Sequence, residues 1–207
     1  MSVDAVVFDI GNALLEWHPD RFYDRVIGPE RRAALFEAVD LDAMNLRVDG
    51  GEGFRDVIYA EAEANPEWRD EIRLWHDRWI EMCSPEIPHS VHLLRALRAK
   101  GVPVYALTNF GVESFALAKS VYPFLGEFNR AFVSGELRML KPDPAIYAAL
   151  EQGTGVAPER LLFADDRPDN IAAARARGWQ GHLFEHPQGW ADALIAHGLL
   201  TAEEARI

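Results

Sequence analysis

One cysteine, a shortage of positive charge and no long apolar run are the first features of this 207-residue sequence. With Cys83 alone, no intramolecular disulfide can form, which suits a reducing compartment. Lys and Arg number 21 against 33 Asp and Glu, a formal net charge of −12. A chain that acidic has no basic face for nucleic acid or an anionic membrane, so any anionic substrate must be held by local cations. No apolar stretch approaches the ~20 residues of a membrane span, and no charged leader with an apolar core precedes the first hydrophobic segment. A cytoplasmic protein, a monomer or homodimer without nucleic-acid or membrane partners, is expected. Internal repeats and low-complexity segments are also missing.

What is present is 49% hydrophobic residues, enough for a sizeable core. The stretch Val6-Val7-Phe8-Asp9-Ile10-Gly11-Asn12 reads as a buried strand that ends by delivering a carboxylate. Gly11 permits a sharp turn or close approach of a ligand, and Asn12 tolerates unusual backbone angles. From 15 to 85 the spacing is helical: Arg21 to Val26, Pro29 to Val39, Phe54 to Ala64 and Trp68 to Met82, with a break at Asp49-Gly50-Gly51-Glu52-Gly53. From Ser84-Pro85 onward, helices alternate with apolar runs at Val102 to Leu107, Ala131 to Val133, Leu161 to Ala164 and Gln180 to Phe184. Asp143 with Pro144 starts one of the helices. This alternation predicts an α/β fold: a Rossmann-like, doubly wound parallel sheet from 1–14 and 86–207, with an inserted all-helical cap from 15–85.

Strand or loop ends carry Asp9, Thr108-Asn109, Lys141 and Asp165-Asp166. Taken singly, each has an ordinary reading, such as a turn residue, a surface lysine or a helix cap. Together they suit a carboxylate nucleophile attacking a phosphoryl group. A divalent ion on carboxylate oxygens and a lysine ammonium would offset the repulsion between the two anions, and hydroxyl and amide groups would orient the phosphoryl oxygens.

Phe8-Asp9, Leu107-Thr108-Asn109, Lys141-Pro142-Asp143-Pro144 and Phe163-Ala164-Asp165-Asp166 resemble, in order, the four motifs of the haloacid dehalogenase superfamily. The likeness is to its members with a helical cap after the first strand. It implies that Asp9 is a nucleophile and Mg²⁺ ligand, and that the backbone carbonyl of Gly11 and the side chain of Asp166 complete the protein ligands. Thr108, Asn109 and Lys141 would hold the phosphoryl group, with Asp165 and Asn170 behind them. The implied activity is a phosphatase acting on a small phosphorylated metabolite.

One departure matters. Phosphatases of that superfamily usually carry a second Asp two residues after the nucleophile as general acid and base; here that position is Gly11. Starts of the Asp-x-Gly-Asn type do occur in a branch that resembles sugar-phosphate phosphatases. Losing a general acid costs roughly 10²–10⁴-fold and penalises alkoxide leaving groups most. Either the substrate has a good leaving group, such as a sugar 1-phosphate or acyl phosphate, or another residue supplies the proton. His18 at the cap hinge titrates near neutrality, although a hydrogen-bonded hinge role beside Pro19 is its stronger reading. Trp17 could face the substrate. Two alternatives stay open: a metal-free 2-haloacid dehalogenase using the same Asp, and a non-catalytic phosphometabolite- or partner-binding module. The fourth motif speaks against the dehalogenase, which would put serine and asparagine where Asp165-Asp166-Arg167 stand, and none of Arg31, Arg32 and Arg47 can be aligned with a dehalogenase cap arginine by spacing. His89 with His92, and His182 with His186, have metal-like spacing without an acidic or cysteine partner, so core or solvated histidines are expected.

Overall fold

A computed structural model describes residues 2–207. In chain order the elements are β1 (Ala5–Phe8), β2 (Leu15–Trp17), α1 (Pro19–Ile27), α2 (Pro29–Ala38), α3 (Leu41–Asp49), α4 (Phe54–Ala64) and α5 (Arg69–Asp77). They continue with β3 (Cys83–Glu86), α6 (Pro88–Ala99), β4 (Val104–Thr108), α7 (Val112–Val121), β5 (Arg130–Val133) and α8 (Ser134–Leu137). The chain finishes with α9 (Pro144–Thr154), β6 (Leu161–Asp165), α10 (Pro168–Ala176), β7 (Gln180–Leu183) and α11 (Pro187–Ala196).

Five strands form one sheet in the order β5-β4-β1-β6-β7, parallel throughout. β1 is central, with Phe8 opposite Ala106 on one side and Ala164 on the other. Its side chains alternate between two cores: Val6 and Phe8 pack with Leu93, Leu97 and Trp190, whereas Ala5 and Val7 pack with Ile146, Leu150 and Ile171. That two-sided burial is why β1 is apolar without alternation. The chain leaves β1 for β4 and β5 on one side and returns to β6 and β7 on the other. The carboxyl ends of β1, β4 and β6 therefore flank the point where strand order reverses, the natural ligand cleft of such sheets.

Between β2 and β3 lie five helices around a core that includes Tyr23, Leu35, Ile58, Ile72 and Trp75. The sequence reading of an all-helical segment misses its ends, which pair as an antiparallel ribbon with Leu15 opposite Glu86 and Trp17 opposite Cys83. Strands of three and four residues are too short to display a period, and their partners lie about seventy residues apart. The expected helix from Trp68 to Met82 stops at Asp77, and a separate 3₁₀ turn follows over Trp79–Glu81. α3 lies in a stretch for which the sequence reading predicts no helix. Its signals are Asp40, whose carboxylate caps the Ala43 N–H at 2.9 Å, and Leu41, Met44 and Val48 on the buried face.

α3 docks on the sheet side of the molecule. Ser134 Oγ donates to the Asp49 carbonyl at 2.6 Å and accepts from the Phe110 N–H at 2.9 Å. Gly111 allows this approach, since a Cβ there would meet Val48 Cγ1 at 2.5 Å. His89 and His92 bond the Ala205 and Glu204 carbonyls at 2.8 Å, so they fasten the C-terminal segment rather than hold a metal. No helix among the described residues is long and apolar enough to cross a membrane.

Candidate active site

Asp9 follows β1 directly, and its N–H donates to the Ala164 carbonyl of β6 at 2.9 Å. This bond sets it level with Asp165 at the end of β6. Lys141 arrives between them from the loop before α9 and is only 4% exposed. Its Nζ lies 2.9 Å from Asp9 Oδ1 and 2.7 Å from Asp165 Oδ2. The lysine backbone is fixed by a reciprocal pair: Asn109 Nδ2 donates to the Lys141 carbonyl at 3.0 Å, and the Lys141 N–H donates to Asn109 Oδ1 at 2.8 Å. The Asn109 amide, expected to face a phosphoryl group, thus places the lysine backbone, and Asn109 also lines the cavity described below. Thr108 is buried at the end of β4 and lines the same cavity.

Asp165 is fully committed. Besides Lys141 it accepts from Asn170 Nδ2 at 3.0 Å on both oxygens and from the Arg167 N–H at 2.8 Å. Asp166 is freer: its one side-chain partner among the described residues is Asn12, whose Nδ2 donates to Oδ2 at 3.0 Å. Asn12 has φ of +53°, the left-handed conformation that the sequence anticipates, and its Oδ1 accepts from the Trp17 N–H at 2.9 Å. It therefore ties Asp166 to β2, a role that only the fold reveals. Oxygens of Asp9, Asp165 and Asp166 lie within 4.8 Å of one another. Three carboxylates against one ammonium leave two negative charges. Burial, with Asp165 and Asp166 nearby, pushes the Asp9 carboxyl up to about 7 despite Lys141. Burial likewise raises Asp166, while against burial Asp9 and Asp165 hold the Lys141 ammonium above its ordinary range. Asn170 Oδ1 is buried and has no donor among the described residues. A cluster two charges short, next to an orphaned acceptor, fits a hard divalent cation with oxygen ligands.

The cluster opens on a cavity of about 570 Å³. Its floor includes Asp9, Gly11, Thr108, Lys141 and Asp166; the inserted segment contributes Trp17, Asp40, Asp42, Asn45, Asp49, Trp75 and Trp79. Trp17 packs against Trp75 and Trp79 with ring centroids 5.9 and 5.8 Å apart. His18 is not among the residues lining the cavity; its ring lies 3.7 Å from Glu16 and 3.9 Å from Asp20. Arg31, Arg32 and Arg47 pair with Glu71, Asp24 and Glu52 and are likewise outside it. Cys83 touches the cavity, but burial pushes its thiol up to about 12, leaving it a poor nucleophile.

Two curated proteins similar to this chain are a sesquiterpene phosphatase of Aspergillus oryzae and the phosphoglycolate phosphatase of Escherichia coli strain K12. The first is 32% identical over 45% of this chain and 48% of its own. The second is 30% identical over 52% of this chain and 44% of its own. The chain thus spans about half the length of these relatives. Among solved structures, a haloacid dehalogenase family enzyme of Bacteroides thetaiotaomicron superposes with a TM-score of 0.71 at 20% identity, covering 94% of this chain and 99% of that one. The same enzyme in complex with magnesium and inorganic phosphate gives 0.64 at 20% identity, covering 87% and 93%. The L-2-haloacid dehalogenase of Xanthobacter autotrophicus gives 0.61 at 17% identity, covering 98% and 86%. At these identities the structural likeness is one of fold. The family model for haloacid dehalogenase-like hydrolases matches residues 3–178, and with the four motifs meeting at one cleft, this chain belongs to that family.

Proposed function

We propose that the chain is a magnesium-dependent phosphatase of a small phosphorylated metabolite, such as a sugar phosphate, working through a phosphorylated Asp9. The observation that carries this reading is the carboxylate cluster of Asp9, Asp165 and Asp166, which Lys141 neutralises only in part. A metal-free dehalogenase has no use for that surplus negative charge. The cavity also lacks a cation on its inserted side: among the described residues, its lining cations are Lys141 and Arg167, both from the sheet side. A haloacid carboxylate would meet Asp40, Asp42 and Asp49 there, whereas a neutral polyol can hydrogen-bond to them and stack on tryptophan.

The residues divide the work as follows. Lys141 grips Asp9 Oδ1 together with the Ile10 N–H at 2.7 Å, leaving Oδ2 with no donor among the described residues and available to attack phosphorus. The Lys141 ammonium faces the charge that builds on the phosphoryl oxygens, and the Thr108 hydroxyl orients them. Asp165 and Asn109 fix the lysine. Asp9, Asp166 and the Gly11 carbonyl would hold Mg²⁺, which supplies charge neutralisation and phosphoryl polarisation. Asn12 keeps Asp166 in place.

Two measurements test this reading. A panel of sugar phosphates and other phosphomonoesters, assayed with magnesium and with chelator beside 2-chloropropionate, is expected to release phosphate only with magnesium. Chloride release that survives chelation would instead establish the dehalogenase, and binding of phosphorylated ligands without turnover would favour the binding module. Independently of activity, magnesium is expected to raise Tm, by the equivalent of ~2.7 kcal/mol at a hundred times Kd. In Asn12→Ala the same titration is expected to shift to roughly 10–100-fold higher magnesium, as for other groups that orient metal ligands.

A further inference from the structure

Gly11 leaves the nucleophile without a neighbouring proton donor, and the backbone of Gly11 has room where one could stand: a Cβ there would meet nothing within 4 Å. The inserted segment's share of the cavity lining holds one carboxyl that is both sheltered and fixed in position. Asp49, the last residue of α3, lines the same cavity as Asp9 and Lys141. Its Oδ2 accepts from Asn45 Nδ2 at 2.9 Å, and Asn45 Oδ1 accepts in turn from Trp75 Nε1 at 3.1 Å. The bond from Ser134 Oγ to the Asp49 carbonyl ties this end of the helix to the sheet. Burial pushes the Asp49 carboxyl up to about 7, against the pull of the Gly111 N–H and Lys141. A group with that pKa can both give and take a proton near neutrality. Asp40 and Asp42 line the cavity too, but both are exposed and Asp40 is occupied in capping α3.

We propose that Asp49 is the general acid and base of this enzyme, supplied from the inserted helix α3 in place of the residue that Gly11 replaces. The proposal rests on the phosphatase reading. In the first half-reaction Asp9 Oδ2 forms a bond to phosphorus and the bond from phosphorus to the leaving oxygen breaks. The electron pair stays on that oxygen, which takes the Asp49 proton and departs as an alcohol. In the second half, water attacks phosphorus, its proton passes to the Asp49 carboxylate, and the bond to Asp9 breaks to release phosphate. Both carboxyl groups end as they began.

The test uses the full chain with magnesium and two probes, 4-nitrophenyl phosphate and 4-nitrobenzyl phosphate. Nitrophenolate leaves without a proton, whereas the benzyl alkoxide needs one. The readout is kcat/KM, which covers steps up to phosphoryl transfer to Asp9. In Asp49→Asn, which keeps the contact to Asn45, kcat/KM for the benzyl ester is expected to fall roughly 10²–10⁴-fold and that for the phenyl ester by no more than about threefold. Asp49→Ser, smaller than the native side chain, carries the same expectation if the asparagine variant does not fold. Gly11→Asp in the Asp49→Asn background is expected to restore part of the benzyl ester turnover. Equal losses on both esters would make Asp49 a tether of α3 and overturn the proposal, as would unchanged turnover of the benzyl ester. Wild-type protein that hydrolyses only the phenyl ester would overturn it as well. If wild-type protein turns over only sugar phosphates, Asp49→Asn must lower kcat/KM on one esterified at a primary alcohol by the same roughly 10²–10⁴-fold, and an unchanged value overturns the proposal. If it releases no phosphate from these esters or from the sugar phosphates with magnesium, the phosphatase reading itself fails, and the proposal with it.

Discussion

Asp9→Asn is expected to abolish turnover while making the metal-free protein more stable above pH 7. The loss follows from chemistry: an amide oxygen does not form the phosphorylated intermediate, so kcat should drop on the order of 10⁴-fold or more. The gain follows from electrostatics. Asp9 is 7% exposed and faces two other acids, and its carboxyl is raised from 3.8 to about 7 in the folded protein. The folded state therefore binds this proton more tightly than the unfolded one. Ionised Asp9 costs stability in full above pH 7, and the cost fades as pH falls from 7 towards 3.8. The variant escapes it, so its Tm should exceed that of wild type at pH 8 and converge on it near pH 4. Magnesium should reverse the order at pH 8, because it offsets the carboxylate charge in wild type and finds a weaker site in the variant. A variant less stable than wild type at pH 8 without metal would show that the pairing with Lys141 outweighs burial.

Lys141→Met is expected to damage both stability and activity. Removing one partner of a buried ion pair costs about 3–5 kcal/mol, because the charge left behind stays unpaired. In a chain of this size that corresponds to a fall in Tm of roughly 10 °C. The lysine has a raised folded-state pKa, so its contribution is intact everywhere below its ordinary value of 10.5. Between pH 5 and 9 the deficit must therefore track the acids it leaves. Acidification to pH 5, which protonates Asp9, should recover part of the loss, and magnesium should recover part at pH 8. Turnover should fall roughly 10²–10³-fold, the usual effect of removing one charge-stabilising donor. Thermal melts at pH 5 and 8 with and without metal, beside steady-state kinetics, check all of this. A Tm unchanged from wild type at pH 8 would mean that the ion-pair network contributes nothing to the fold.

Separating these effects depends on how the site is divided between local and distant parts of the chain. Asp9, Thr108 and Asp165-Asp166 are legible because they stand at the ends of apolar strands, and Lys141 because it lies just before the helix start marked by Asp143 and Pro144; such ends are marked by composition over a few residues. Their meeting follows from parallel strand order, which alternating helices and strands already imply. Asn12 is half legible: its left-handed backbone is a local preference of asparagine, but its grip on Asp166 spans 154 residues. Asn109 is legible by its place at a strand end, but its two amide bonds to the Lys141 backbone span 32 residues and carry no local signal. Asp49 reads as part of a glycine-rich break, because its helix is short and weakly patterned and its cap at Asp40 goes unused in the reading.

The sequence by itself determined the parallel sheet, the carboxylate at the end of its first strand, the lysine and acids that join it, and the acidic balance of the chain. These depend on strand burial and strand-end chemistry, which are local and periodic. Only the tertiary structure decided that β2 and β3 pair at the base of the helical insertion, that His18 is not among the residues lining the cavity, and that α3 brings Asp49 into the same cavity as Asp9. Those outcomes depend on which surfaces meet when the helices fold back over the sheet, through contacts such as Val48 on Gly111 and Ser134 on the Asp49 carbonyl. The partners in each contact are dozens of residues apart, beyond the reach of any local pattern.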